Sequence, residues 1–296
     1  MPAAITHFLH AQRVLNLFQK QETKLELNKD AFLWGAQGPD FLYCHRYFPW
    51  QRGASLKEYA EKLHLEKPSK TLALMRKYLG LQPQAAATLS YVYGFLCHYS
   101  LDRLSHPFIQ YGAQALHEQN PEQDEDILHN QIESALDVIM LRYERSTLPM
   151  EFNLKQTVPK NGEVQSAIAD LYAFLLCGLF GTADAGIPLL QATNDCRMVF
   201  GLLNDRTTMK KAIAEHVEKG RKRTISCHFR GISEGGEYDY ANILHADWCW
   251  PAHSTIYRKE SFFDLYEKSV KDSMNLIDGF LEADDYKKLT GNILFI

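Results

Sequence analysis

The chain contains no C-x-x-C pair, although it has six cysteines, at positions 44, 97, 177, 196, 227 and 249. Their scatter argues against a disulfide framework and against a zinc site made of thiolates. An internal repeat and a low-complexity tract are also missing, which excludes solenoid and array architectures. The chain is therefore expected to fold as an ordinary globular protein, for which 46% apolar and 23% charged residues are typical values.

Segments that direct a chain to or across a membrane are not visible either. Residues 1–7 have neither the basic start nor the long apolar stretch of a signal peptide, so we predict a cytoplasmic protein. The longest apolar run, 171–181, is broken by Gly178 and Gly181, and we expect a core helix and no transmembrane segment. A net charge of −4 argues against a stable nucleic-acid partner bound through bulk positive charge, although the metals of a nuclease could supply that charge locally.

Helical spacing of apolar residues runs through most of the chain, and strand signals are weak. We predict an all-α fold of one domain, 1–296, in which a motif-bearing core, 1–145, is completed by helices between 163 and 285. Ser55 and Ser261 are predicted N-caps, and Pro107 is expected to kink or interrupt a long helix. The predicted helices are 6–19, 55–64, 69–78, 85–114, 124–143, 163–180, 195–219 and 261–281, with long ordered loops at 35–54, 116–124, 146–162 and 228–260.

The strongest local feature is the motif His98-x3-Asp102-x3-His106. Residues four apart share one face of a helix, so all three side chains point the same way. An Asp flanked by two His among apolar neighbours is costly to bury, and a divalent metal compensates that cost well. The alternative is a buried His–Asp hydrogen-bond pair without a metal.

Three weaker features add side chains of the same type. His129-x3-Glu133 places two of them on one face of the next long helix, where a solvated surface pair is the alternative. Asp40 follows the Gly38-Pro39 turn, where the alternative is an Asp that bonds its own backbone. His7 lies near the chain start, and a lone His in such a place is more often structural.

Together these segments are rich in His and carboxylate and poor in Cys, which favours a catalytic zinc site over a structural one. About eight ligands exceed the needs of one ion, so two or three zinc ions that share carboxylates are expected. Closely spaced metals suit reactions at phosphorus, because they stabilise both the attacking and the leaving oxygen. The residues therefore predict a zinc-dependent hydrolase of phosphate esters.

The same residues resemble the zinc-dependent phospholipase C family, which is similar in fold and metal site to the trinuclear-zinc single-strand nucleases. The resemblance lies in residues 2–7, 34–40, 98–106 and 129–133 and, less specifically, in Trp248–Pro251 and Ser261–Tyr266. It implies a mostly helical fold and hydrolysis of phosphodiester bonds in phospholipids. In secreted members a processed amino terminus binds zinc, and here removal of Met1 would expose Pro2.

The resemblance also implies roles for single residues. Asp40 contacts one zinc ion and orients or deprotonates the attacking water. The side chains that hold a pair of zinc ions, with Asp102 bridging, are His7, His98 and Asp102. The side chains that hold a third zinc ion are His106, His129 and Glu133.

One further histidine ligand is implied between the Gly-Pro-Asp turn and the helix that carries His98. His64 and His45 compete for this role, and His64 is favoured because it ends a predicted helix. Four aromatic residues after the turn are candidates for the wall of a substrate site, with core packing as the alternative: Phe41, Tyr43, Tyr47 and Trp50.

Two functions stay open at this stage. The first is a phospholipase C-like phosphodiesterase that uses a zinc-activated water on a phospholipid or another small phosphate ester. The second is a non-catalytic, metal-stabilised helical domain that binds a lipid headgroup or a partner protein. An HD-type metallophosphohydrolase is disfavoured, because that class needs an adjacent His-Asp dipeptide and the chain has none.

Overall fold

The computed structural model describes residues 4–21, 25–82, 86–182, 188–235, 238–250 and 253–295. Pro2 and Pro251, which carry part of the family resemblance, lie outside these residues. Helices dominate the described part, and its one sheet has two short strands, which confirms the predicted all-α class. All six cysteines lie in the described residues, and none of them forms a disulfide there.

The described residues form eleven α-helices, four short 3₁₀ segments and two strands. The helices are α1 (Ala4–Lys20), α2 (Lys29–Gly35), α3 (Lys57–Leu65), α4 (Pro68–Leu81), α5 (Ala86–Gln119), α6 (Glu125–Arg145), α7 (Gly162–Phe180), α8 (Leu189–Leu203), α9 (Met209–Val217), α10 (Phe262–Phe280) and α11 (Tyr286–Thr290). Short 3₁₀ segments lie at Gly38–Cys44, Pro149–Glu151, Leu154–Thr157 and Ser226–His228. The strands β1 (Trp248–Trp250) and β2 (His253–Arg258) form an antiparallel hairpin inside the loop predicted at 228–260.

Helix α5 forms the centre of the fold. Its 34 residues pack against α2, α10, α6 and α1, and most side chains between 90 and 109 are buried. The helix continues through Pro107, so the interruption does not occur, and the alternative of a kink there stays a prediction. Burial on several sides offsets the cost of about 3 kcal/mol that an internal proline carries.

Two glycines allow α2 to approach α5 backbone to backbone. A Cβ atom on Gly35 would overlap the carbonyl oxygen of Tyr91, and one on Gly94 would overlap the carbonyl oxygen of Phe32. Only glycine permits such contact between two helices. As a result, the turn that follows α2 lies directly against the middle of α5.

The single helix predicted at 195–219 is wrong. Helix α8 ends at Leu203 and α9 begins at Met209. The buried carboxylate of Asp205 accepts hydrogen bonds from the backbone N–H groups of Thr207 and Lys211, at 3.3 and 2.9 Å. These bonds satisfy the amides of a turn and so stabilise the break between the two helices.

Helix α7 corrects the expectation that no stretch of the chain is long and apolar enough to span a bilayer. It has 19 residues with a mean hydropathy of 1.4 in its most apolar window, and 39% of that window is buried. Its buried side chains, among them Leu171 and Tyr172, belong to a helix that packs against α4, α8 and α5. Core helices of soluble proteins meet the same criteria of length and composition.

Candidate metal centre

Three groups of histidine and carboxylate side chains converge on α5. In each group the nitrogen and oxygen atoms that can bind a metal lie within 4.8 Å of one another. The groups are His7, His98 and Asp102; Asp40, His64 and His98; and His106, His129 and Glu133. His98 belongs to two groups, and the eight side chains come from α1, the 3₁₀ segment 38–44, α3, α5 and α6.

The first group surrounds the Asp102 carboxylate. Its Oδ1 lies 3.1 Å from Nε2 of His7, and its Oδ2 lies 3.0 Å from Nε2 of His98. Two atoms bound to one tetrahedral zinc ion at about 2.0 Å lie about 3.3 Å apart. The spacing therefore matches that of ligands which share an ion.

The second group joins the 3₁₀ segment to α3 and α5. Nε2 of His64 lies 3.1 Å from Asp40 Oδ1, and Nε2 of His98 lies 3.9 Å from Asp40 Oδ2. Nδ1 of His64 donates to the Ala60 carbonyl at 2.7 Å, which leaves Nε2 for the group. The competing His45 instead accepts a hydrogen bond from the Leu56 N–H at its Nδ1, so the geometry favours His64.

The third group lies between α5 and α6. Glu133 Oε1 lies 3.2 Å from His129 Nε2 and 3.6 Å from His106 Nε2. His106 Nε2 is also 3.6 Å from Asp102 Oδ1, so this histidine connects the third group to the first. Nδ1 of His106 donates to the Phe295 carbonyl at 2.7 Å, which fixes the ring with Nε2 towards the carboxylates.

Several polar atoms in the cluster are buried without a hydrogen bond. No hydrogen-bond partner is found for either ring nitrogen of His98, for Nδ1 of His7 or for Oδ2 of Asp102. His98 and Asp102 are 0% and 1% exposed, so water does not reach them either. Unsatisfied buried polar atoms are rare, because each costs free energy. A cation between them compensates that cost, so the residues present fit zinc, whose preferred ligands are imidazole and carboxylate.

Charge coupling within the cluster shifts several pKa values. Burial lowers the pKa of His106, but the Asp102 and Glu133 carboxylates outweigh it and raise that pKa to about 9. Burial likewise lowers the pKa of His7, and Asp102 raises it above its ordinary value. The Asp102 pKa lies well below its usual range, because the neighbouring histidines outweigh burial. With its pKa at about 9, His106 carries a proton at neutral pH when no metal is bound and so supplies positive charge beside these carboxylates.

The Gly38-Pro39-Asp40 turn is shaped to fit against His98. Gly38 has a φ of +51°, and a Cβ atom there would overlap the His98 ring. The Tyr91 hydroxyl donates to the Gly38 carbonyl at 2.9 Å, which ties the turn to α5. Asp40 is consequently delivered to the cluster from a fixed loop.

Asp137 holds the amino-terminal end of α1, and sequence reasoning missed it. Its buried carboxylate accepts from the backbone N–H of Ile5 at 3.2 Å and from that of Thr6 at 2.7 Å. Arg230 donates to the same carboxylate at 2.6 Å. Asp137 lies one turn after Glu133 on α6, so one helix supplies a ligand and positions the helix that carries His7. This four-residue spacing was the only signal for it in the sequence.

Phe295 covers the cluster from the carboxyl-terminal segment and was also missed. Its ring centroid lies 5.3 Å from that of His64 and 5.9 Å from that of His98. The Tyr99 hydroxyl holds this segment by donating to the Ile293 carbonyl at 2.7 Å. Phe295 therefore both shields the ligands and orients His106.

The four aromatic candidates for a substrate wall do not lie together. Tyr43 has its ring 6.0 Å from that of His64, beside the cluster. Phe41 is 1% exposed and packs edge-on against Trp34 and Tyr172, so core packing is its role here. Tyr47 and Trp50 lie on an exposed loop, where both pack against Phe48.

Comparison with known proteins gives one match. The model of the zinc-dependent phospholipase C family matches residues 6–176, which is more than half of the chain and includes all eight candidate ligands. No curated protein and no solved structure matches the chain.

Proposed function

Since the chain belongs to the zinc-dependent phospholipase C family, we propose that it is a zinc-dependent hydrolase of phosphodiester bonds in phospholipid-type substrates. The observation that carries this proposal is the convergence of eight histidine and carboxylate side chains from five elements into three overlapping groups. A structural ion would need only four ligands.

In this proposal the cluster holds two or three zinc ions. The proposed ligands are His7, Asp40, His64, His98, Asp102, His106, His129 and Glu133. When bound, the ions supply positive charge at the phosphate oxygens and make a nearby water more acidic. His98 belongs to two groups, and Asp102 lies 3.6 Å from His106 of the third, so ions held there would lie close together.

Asp40 is the proposed catalytic residue. Its carboxylate is 5% exposed and faces His64 and His98 from the edge of the cluster. There it would accept the proton of the attacking water, with His64 and His98 holding the carboxylate on either side. The Gly38 turn and Tyr91 keep the carboxylate in place during this transfer.

Access to the cluster needs a local opening. Seven of the proposed ligands are at most 7% exposed, and the His129 side chain is 26% exposed. A phosphate headgroup therefore approaches from the side of His129. The same closure favours one alternative, a metal-stabilised domain without catalytic activity.

The variant Asp40→Asn tests the proposal. We expect the zinc-loaded protein to hydrolyse a chromogenic phosphodiester and short-chain phosphatidylcholine, and a chelator to abolish this activity. In Asp40→Asn, kcat falls by about 100-fold or more, because a positioned base contributes 10²–10⁴-fold.

The matched control is Asp195→Asn. Asp195 is a buried aspartate that accepts from the Arg46 backbone and from Gln51, outside the cluster, so its loss leaves kcat unchanged. Zinc content is measured for every variant. A wild-type protein with two to three zinc ions and no activity on phospholipids or nucleotides would support the non-catalytic alternative instead.

A further inference from the structure

Helix α9 turns its apolar side chains towards solvent. Met209, Ile213 and Val217 are four residues apart and therefore share one face. They are 62%, 59% and 61% exposed, and none of the residues of α9 is buried. A surface helix ordinarily directs such a stripe into the core, so this one is oriented for contact with something outside the fold.

The rest of the molecule holds α9 in this orientation. Ala214, which follows Ile213 and lies about 100° around the helix from it, packs against the hydrophobic core. At the start of α9, the Lys211 backbone N–H donates to Asp205 at 2.9 Å. After its end, the Glu218 carboxylate accepts from the N–H groups of Ile225 and Ser226, at 2.7 and 2.9 Å. The outward stripe is therefore a fixed feature.

The segment around α9 carries a charge opposite to that of the rest of the chain. Residues 206–223 contain seven Lys or Arg and two Glu, whereas the other residues contain 25 Lys or Arg and 34 Asp or Glu. The exposed cations are Arg206, Lys210, Lys219, Arg221, Lys222 and Arg223. Of the two acids, Glu218 is buried and bonded to backbone amides. The apolar stripe is thus flanked by cations at both ends.

We propose that α9 and its flanking basic residues form an interfacial element that docks onto an anionic lipid bilayer. Aliphatic side chains enter the boundary between headgroups and acyl chains, and Lys and Arg attract the anionic headgroups. A negatively charged protein as a whole requires such a local positive surface to reach that partner.

This surface adjoins the helix that carries part of the metal cluster. Helix α9 contacts the 3₁₀ segment 226–228, and that segment accepts a hydrogen bond from Ser134 of α6 at the Cys227 carbonyl, at 2.7 Å. Ser134 follows Glu133 directly. Docking through α9 would therefore bring a lipid surface to the part of the fold that holds the third ligand group, but the proposal does not depend on catalysis.

Vesicle co-sedimentation tests the proposal. The zinc-loaded full chain is mixed with vesicles of phosphatidylcholine alone, or of phosphatidylcholine with phosphatidylglycerol. Asp40→Asn is tested in parallel, so that turnover of the lipid does not affect the result. We expect binding to the anionic vesicles, weaker binding to the neutral ones, and release at high salt.

Matched variants separate the two parts of the surface. Met209→Ser combined with Ile213→Ser, and Lys219→Glu combined with Arg221→Glu, are each expected to weaken partition by about tenfold. The controls are Leu65→Ser on α3, at 58% exposed, and Lys77→Glu on α4, which leave binding unchanged. Circular dichroism confirms that every variant is folded.

Two outcomes overturn the proposal. One is equal sedimentation of the wild type and the α9 variants with anionic vesicles. The other is a wild-type dimer in solution that Ile213→Ser converts to a monomer without any vesicle binding, since a second copy would then cover the stripe. Vesicle binding without hydrolysis leaves this proposal intact and counts against the proposed function alone.

Discussion

At the scale of single residues, Gly38 has two separate reasons to be glycine. Its φ of +51° is costly for other residues, and a Cβ atom there would overlap the His98 ring. We expect Gly38→Ala to lower the free energy of unfolding by about 2 kcal/mol and to reduce the zinc content per chain. Urea unfolding and metal analysis measure the two effects.

Gly80→Ala is the control for this substitution. Gly80 lies in helix α4, and a Cβ atom there would have no neighbour within 4 Å. Alanine has a higher helix propensity than glycine, so the free energy of unfolding of this variant is expected to rise by about 0.5–1 kcal/mol. Full zinc content and unchanged stability in Gly38→Ala would show that the turn does not position Asp40 as described.

The sequence predicted the eight side chains that converge in the candidate site, but it missed the residues that position and cover them. His98, Asp102 and His106 are spaced four apart, so their shared face follows from helix geometry alone. Phe295 meets His106 across 189 residues, and Asp137 meets Thr6 across 131. A single sequence carries no information about such pairs, because only the completed packing brings them together.

At the scale of elements, the segment that carries Phe295 acts as the cover of the cluster. Phe295→Ala removes the ring and keeps the carbonyl that His106 needs. We expect kcat/KM for a soluble phosphodiester to rise by several-fold and a chelator to extract zinc faster. Steady-state kinetics and the rate of zinc release measure these changes.

Phe48→Ala is the matched control, because Phe48 is also largely buried but packs against Tyr47 and Trp50 on the loop after α2. Phe48→Ala should change neither kcat/KM nor the rate of zinc release. A fall in kcat/KM for Phe295→Ala with normal zinc content would mean that the ring binds substrate and does not cover the site.

The starts of α10 and α3 show how far the local sequence determines where a helix begins. Ser261, a predicted N-cap, caps α10, and Asp264 completes a capping box with it, since both reciprocal bonds are present. The N-cap predicted at Ser55 is one residue too early, because α3 begins after Leu56. The Ser55 hydroxyl donates to the His45 carbonyl and accepts from the Lys57 N–H at 3.2 Å, so it still satisfies one amide at the start of α3.

At the scale of the whole molecule, the ligand cluster links folding to metal binding. Its members come from α1, the turn after α2, α3, α5 and α6, so an ion held there cross-links elements that are far apart in sequence. Ligands that bind only the folded state stabilise it. In the fold without zinc, the protonated His106 ring supplies positive charge beside the buried carboxylates Asp102 and Glu133.

Removal of zinc should therefore lower the unfolding temperature, and by more at high pH. Burial lowers the pKa of His106, but Asp102 and Glu133 raise it to about 9 from 6.5. In the zinc-free protein, the protonated ring then stabilises the fold fully below pH 6.5, and this contribution is lost as the pH rises through about 9. Zinc requires the deprotonated ring, so the stabilising effect of zinc grows over the same pH range.

Thermal unfolding with and without a chelator measures the difference in unfolding temperature, and added zinc should restore the higher value. An unfolding temperature that is independent of zinc at pH 9 would mean that the eight side chains do not hold the ion.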